Sequence, residues 1–217
     1  MGRTPKPPHM AARQTKRFPK KGKLTVIAGP MFAGKTTKLL TLFSVLSNLG
    51  FSVLCFKAEA TSNGGMGHTR SHDERPLPVI YIDMTRPEKI LQYACPEPRS
   101  AERVETQGIQ KVIIDAIHFF PKERFIAVVK QLLSQGIDVY VNGLIFDYRK
   151  KEYGATKTLM QVADECIEQF SICVRCGGKA AHTERVAGGT ERSLGTTGQV
   201  AAKYIPVCSS CHQIYKG

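Results

Sequence analysis

Apolar positions along this chain fall into short unbroken runs that alternate with longer stretches of helical period. "KLTVIAG", ending at Gly29, reads as a buried strand with β-branched Thr25, Val26 and Ile27. From Lys35, "KTTKLLTLFSVLSNLG" places Leu39, Leu42, Phe43 and Leu46 on one helical face, and Gly50 stops it. "SVLCF", "PVIYI", "KVIID" and "DVYVNGL" predict further strands. "PEKILQYA" predicts a short helix, and "KERFIAVVKQLLSQG" a longer one ended by Gly136. Residues 61–73 are Gly-rich and polar, the composition of a mobile loop. Strands alternating with helices predict an α/β fold, a parallel sheet with flanking helices. From about Cys166 the periodicity gives way to Cys, Gly and Thr, which marks a small C-terminal module. There is no internal repeat. The expected organisation is a tail over 1–21, a core over 22–165 and the module over 166–217.

Charge changes the picture at one end. The 217 residues carry a net charge of +13, and 42% are hydrophobic, enough to bury a core in one domain plus an appendage. Residues 1–23 hold eight of the basic side chains and no acidic one, which leaves +5 on the other 194 residues. A Pro-rich, basic, aromatic-poor arm cannot bury enough apolar surface to order itself, so a solvated tail is expected. Such an arm can make weak contacts with nucleic acid through phosphate neutralisation. Its Arg content and lack of acids also fit an organelle-targeting leader, although serines are missing. No apolar run approaches the 18 or so residues of a membrane span, and no secretory core follows Met1. The expectation is a soluble cytoplasmic protein with no membrane partner.

Candidate chemistry begins at "GPMFAGKT", residues 29–36, which fits G-x-x-x-x-G-K-[ST] between a strand and a helix. Gly29 and Gly34 let the loop wrap so that backbone N–H groups, with those of Pro30's neighbours Met31, Phe32 and Ala33, face phosphates at a helix N-terminus. Lys35 then reaches the β- and γ-phosphates of ATP, Thr36 ligates Mg²⁺, and Thr37 follows on the first helical turn. Asp115 ends the buried "KVIID" run about 80 residues later, as a metal-holding carboxylate does. The next position, where a second carboxylate could take a proton, is Ala116.

Seven cysteines are present; Cys55, Cys95 and Cys166 are isolated, and the other four form Cys173-x-x-Cys176 and Cys208-x-x-Cys211. Two such pairs 31 residues apart supply four thiolates, enough to close a tetrahedral structural Zn²⁺ site. Zinc there would staple the intervening segment as a loop without doing chemistry.

In combination these motifs resemble one family, the zinc-containing, tetrameric cytosolic thymidine kinases, from about Gly22 to Cys211. "GPMFAGKTTKLL" is very close to the family's phosphate loop, including Met31 and Phe32, which no generic loop of this type requires. "SHD" at 71–73 is similar to its Thr/Ser-His-Asp. "DAIHFF" stands where the family has D-E-x-Q-F-F, and "GLIFDYRKKEYGA" resembles G-L-D-x-D-F-R-x-x-P-F-G. "KYIPVC" precedes the second cysteine pair, and the two pairs bracket a "lasso" that in the family closes over the base. The resemblance implies a P-loop core with a zinc-stapled lasso module. It also implies transfer of the ATP γ-phosphate to the 5′-hydroxyl of thymidine or deoxyuridine. Met31, Phe119, Thr183 and Tyr204 match positions lining the thymine pocket. A homotetramer and inhibition by dTTP are implied as well.

The chain departs from that pattern at the chemistry. Ala116 replaces the family's proton-accepting Glu, residues 61–64 lack its D-x-R with Arg70 the nearest substitute, and Ile145 stands where an Asp is common. His118 replaces a Gln; on a strand continuing past Asp115 it would share the face of Ala116 and could stand in as base. A positioned base contributes about 10²–10⁴-fold. Two readings stay open: a thymidine kinase of low activity, or a catalytically inactive nucleotide-binding relative.

Overall fold

A computed structural model describes residues 21–59, 66–70, 76–95, 108–187 and 202–214. The basic tail over 1–20, the positions 61–64 and 71–73, the Arg70 side chain and the 188–201 part of the lasso lie outside the described residues. The core runs β1 (Leu24–Ala28), α1 (Lys35–Asn48), β2 (Val53–Glu59), β3 (Met66–Arg70), β4 (Pro76–Asp83) and α2 (Lys89–Ala94). It continues with β5 (Lys111–Asp115), α3 (Lys122–Ser134), β6 (Asp138–Gly143), α4 (Thr156–Met160) and β7 (Glu165–Glu168).

These strands form one sheet in the order β3-β4-β2-β5-β6-β1-β7, parallel except for β3 at its edge. The unbroken apolar runs follow from helices covering both faces. Val112 and Ile114 of β5 pack with Phe125, Val129 and Leu132 of α3. Ile113, pointing the other way, packs with Leu39 and Leu40 of α1. β7 pairs in parallel with β1, so Glu165–Glu168 belong to the core sheet.

Both predicted helix stops have the same construction. Gly50 (φ 82) donates its N–H to the Ser47 carbonyl while Phe51 donates to Leu46; Gly136 (φ 80) and Ile137 do the same to Leu133 and Leu132. These paired bonds require a left-handed residue just past the helix end, where glycine has no Cβ to clash.

Two expectations need correction. The 61–73 stretch is not loop throughout: Met66–Arg70 is a strand, antiparallel to β4 with Met66 opposite Ile80. Its sequence lacks alternation because an edge strand takes its order from its neighbour's backbone. β5 ends at Asp115, where the "KVIID" run ends, and the continuing strand that would let His118 stand in for a base does not form. Ala116 turns into the left-handed region (φ 60, ψ 41) and residues 117–119 form a 3₁₀ turn, so His118 does not share a strand face with Ala116. The Asn142 side-chain oxygen accepts the Ala116 N–H at 2.9 Å, holding that turn from the end of β6.

After β7 come two small antiparallel pairs: β8 (Ser171–Ile172) with β9 (Lys179–Ala180), and β10 (His182–Ala187) with β11 (Lys203–Val207). Cys173, Ala180 and Val207 form their own buried cluster.

Candidate active site and metal centre

The C-terminal ends of β1, β5 and β6 and the start of α1 meet at one edge of the sheet. At Gly29 (φ 155) the chain passes so near the Gln169 carbonyl that a Cβ would lie 2.2 Å from it; only glycine fits. Phe32 (φ 61) and Gly34 (φ 73) turn the loop into the helix, whose first bond runs from Lys38 N–H to the Gly34 carbonyl at 3.0 Å. The Lys35 ammonium donates to the Pro30 carbonyl at 2.5 Å. Burial pulls the Lys35 pKa down to about 8, against the opposing pull of the Asp115 charge.

Asp115 is 6% exposed. The Thr36 hydroxyl lies 3.4 Å from Asp115 Oδ1, and the Lys57 ammonium 3.7 Å from Oδ2. A carboxylate, a hydroxyl and an ammonium thus converge beside a helix N-terminus, a donor set that suits a hard divalent cation and phosphate oxygens. The residues present fit Mg²⁺ by this chemistry, Thr36 and Asp115 being the oxygen donors.

His118 is 8% exposed. Its Nδ1 accepts the Leu144 N–H at 3.2 Å, and its ring packs on Phe119 and Tyr153 with centroids 4.2 and 5.0 Å away. Burial first, and the Lys35 charge second, hold its pKa down to about 3. Accepting at Nδ1 leaves the proton of the neutral ring on Nε2, so neither nitrogen offers a free lone pair. Asn142, 1% exposed, has an Nδ2 with no partner among the described residues.

The four expected nucleoside-pocket residues arrive in separate contacts. Thr183, 4% exposed on β10, accepts the Met31 N–H at 3.0 Å and so ties the C-terminal module to the 29–36 loop. Phe119 meets Tyr153 edge to face at 6.0 Å. Tyr204 lies 6.5 Å from Tyr148, which is stacked by Arg185 and Arg149. Tyr148 and Tyr153 were not singled out from the sequence, although both stand in "FDYRKKEYGA". A cavity of about 430 Å³ lies to one side, lined by Ala28, Ile145, Phe146, Met160, Phe170 and His182 among others; of the expected ligand residues it includes Gly29 and Pro30.

The cysteine knuckles come together as spaced. The Sγ atoms of Cys173, Cys176, Cys208 and Cys211 all lie within 4.8 Å of one another. Cys176 and Cys208 sulfurs are 3.7 Å apart, close to the edge of roughly 3.8 Å that a Zn–S bond of ~2.3 Å gives a tetrahedron. Backbone N–H groups, that of Cys208 foremost, lower the Cys173 thiol, while the neighbouring thiols, Cys208 first, raise that of Cys211; the cluster shares protons that a metal would displace. The four residues fit Zn²⁺. Arg175 grips the buried Glu184 with both guanidinium nitrogens (2.7 and 2.5 Å) and also bonds the Cys211 carbonyl, and Gln213 N–H reaches Glu184 at 2.6 Å. That fork links the two knuckles.

Fold and site together define an α/β protein with a glycine-bounded turn at residues 29–34 facing a strand-end carboxylate and a four-cysteine centre at its C-terminus. The sequence profile of the thymidine kinase family matches residues 22–212, and the chain belongs to that family. It is 27% identical over 191 residues to the thymidine kinase of Pseudothermotoga lettingae, covering 88% of this chain and 95% of that one. It is 30% identical over 195 residues to the thymidine kinase of Bacteroides fragilis strain YCH46, covering 89% and 88%. To that of Aster yellows witches'-broom phytoplasma it is 33% identical over 169 residues, 77% and 74% of the two chains. Among the described residues no helix is long and apolar enough to cross a membrane.

Proposed function

We propose that this chain binds ATP with Mg²⁺ on the loop of residues 29–37 and phosphorylates the 5′-hydroxyl of thymidine or deoxyuridine slowly, for want of a base at position 116. The observation that carries the reading is the convergence of Lys35, Thr36 and Asp115 at the start of α1 in a member of this family. The loop N–H groups and Lys35 bind and orient the phosphates; Thr36 and Asp115 hold the cation. When bound, Mg²⁺ supplies neutralisation of charge on the β- and γ-oxygens. Met31, Phe119, Thr183 and Tyr204, with Tyr148 and Tyr153, form the nucleoside side of the site.

On a strand continuing past Asp115, His118 could have stood in as base. We assign it instead to holding Leu144 and the aromatic cluster, because its Nδ1 is occupied and its basicity is spent on burial. Phosphoryl transfer depends more on positioning and charge than on the base, so turnover persists at a low level. The second reading, an inactive nucleotide-binding subunit, is favoured by the same vacancy at Ala116. Zn²⁺ on the four cysteines fixes the base of the lasso. A cytoplasmic homotetramer inhibited by dTTP, with a basic arm making weak nucleic-acid contacts, completes the proposal.

The test is transfer of label from γ-labelled ATP to thymidine, read as thymidine 5′-monophosphate. Slow, thymidine-dependent product supports the first reading. Binding of ATP without product supports the second, and no binding of ATP or thymidine sinks both.

A further inference from the structure

Asn142 has no part in the apolar pattern of "DVYVNGL", where it is one polar residue after Val139, Tyr140 and Val141. Its neighbours in the sheet give it a place. β6 lies between β1 and β5, and Asn142 stands opposite Ile27 of β1. On the other side Val141 stands opposite Ile114, which brings Asp115 alongside Asn142 one step further. Ile27, Ile113 and Tyr140 belong to the cluster that packs with Leu39 and Leu40 of α1. Side chains alternate along a strand, so Asn142, two residues past Tyr140, and Asp115, two past Ile113, share the α1 face. The 29–36 loop leaves the end of β1, and Asp115 closes β5. A ligand that bridges that loop and that carboxylate therefore lies over the end of β6, where Asn142 is the last residue with a side chain.

The two arms of the Asn142 amide are not equivalent. The Ala116 N–H is a donor, so the arm it meets at 2.9 Å is the oxygen, and the nitrogen is turned elsewhere. That nitrogen is buried and has no partner among the described residues. The polar groups at this edge do not fill it: Asp115 Oδ1 is met by the Thr36 hydroxyl and Oδ2 by the Lys57 ammonium, and the Lys35 ammonium can only donate. A buried donor without an acceptor is costly, and phosphate oxygens are the acceptors that a ligand of this site brings. The loop N–H groups and the start of α1 suit the inner phosphates, whereas the terminal one must face the nucleoside. The 116–119 turn, which Asn142 tethers, carries Phe119 of the proposed nucleoside side. We propose that Asn142 recognises the terminal phosphate of bound ATP, Nδ2 donating to a γ-phosphate oxygen while Oδ1 holds the 116–119 turn. The inference rests on reading this site as one for Mg·ATP.

The test is calorimetric titration of the full chain with Mg·ATP and, separately, Mg·ADP, for wild type, Asn142→Ala and Asn142→Asp, with thermal melts to check that each variant folds. Alanine removes the donor and the tether together. An ionised aspartate keeps an oxygen for the Ala116 N–H but offers no donor, so the titrations are run well above the carboxylate pKa range. Loss of a hydrogen bond to a charged oxygen predicts that the preference for ATP over ADP falls about tenfold or more in both variants. An unchanged preference in either folded variant, whether both affinities fall together or neither does, would show that Asn142 serves only the turn. That result would overturn the inference and leave the proposed function standing. A wild-type chain that binds neither nucleotide would remove the proposed function and this inference with it.

Discussion

Acid should destabilise this protein through one identifiable side chain. His118 is neutral in the fold, with its pKa held at about 3 by burial and by the Lys35 charge, against 6.5 in an unfolded chain. Because the folded value is depressed, the unfolded state binds the extra proton; the stability is complete above about 6.5 and is lost as pH falls toward 3. At pH 5 the unfolded imidazole lies about 1.5 pH units below its pKa, which corresponds to roughly 2 kcal/mol lost relative to pH 7. His118→Asn offers an amide oxygen near the Nδ1 position for Leu144 N–H but no titration. Its cost from lost packing on Phe119 and Tyr153 is the same at both pH values. Urea unfolding of both proteins at pH 7 and pH 5 therefore isolates the proton: wild type should lose about 2 kcal/mol more than the variant. Equal losses, within about 0.5 kcal/mol, would mean that His118 is solvated and free to titrate, and would reopen its candidacy as a base.

Four further outcomes are expected. With the Lys35 pKa near 8, ATP affinity should fall above pH 8 by up to about tenfold per unit as the ammonium is lost, with proton uptake on binding measurable in buffers of different ionisation enthalpy; a flat affinity to pH 10 would contradict this. Gly136→Ala puts a Cβ at φ 80 and should cost about 1 kcal/mol in urea unfolding. Ala116→Gly should be neutral or stabilising by up to about 1 kcal/mol, since relief of its left-handed strain offsets the added unfolded-state entropy. Glu184→Ala removes the carboxylate that Arg175 and the Gln213 N–H bond and should loosen the C-terminal module, read as faster loss of zinc to a chelator; an unchanged rate would contradict this.

Several core elements were legible because their signals are local. "LTVIA" and "KVIID" are apolar without alternation because both faces of their strands are covered, and Gly50 and Gly136 mark true left-handed stops. The cysteine spacing likewise gave a cluster whose sulfurs meet. Illegible features depend on partners distant in sequence. β3 is ordered by pairing with β4, not by its own pattern. The turn after β5 is held by Asn142, 26 residues beyond Ala116, so where His118 lies could not be read from "IHFF" itself. Lys57 meets Asp115 only through the register of β2 with β5.

Position 116 carries the functional question. It follows the buried carboxylate of Asp115, its backbone is held by Asn142, and its methyl group offers nothing to accept a proton. Measuring thymidine-dependent ATP turnover for wild type and Ala116→Glu, with ATP and thymidine binding recorded alongside, tests this most directly. The expected result is slow turnover that rises by about 10²-fold or more in the variant, with binding of both ligands little changed. A fast wild type, or a variant that binds both ligands and turns over no faster, would contradict the proposal that the missing base limits turnover.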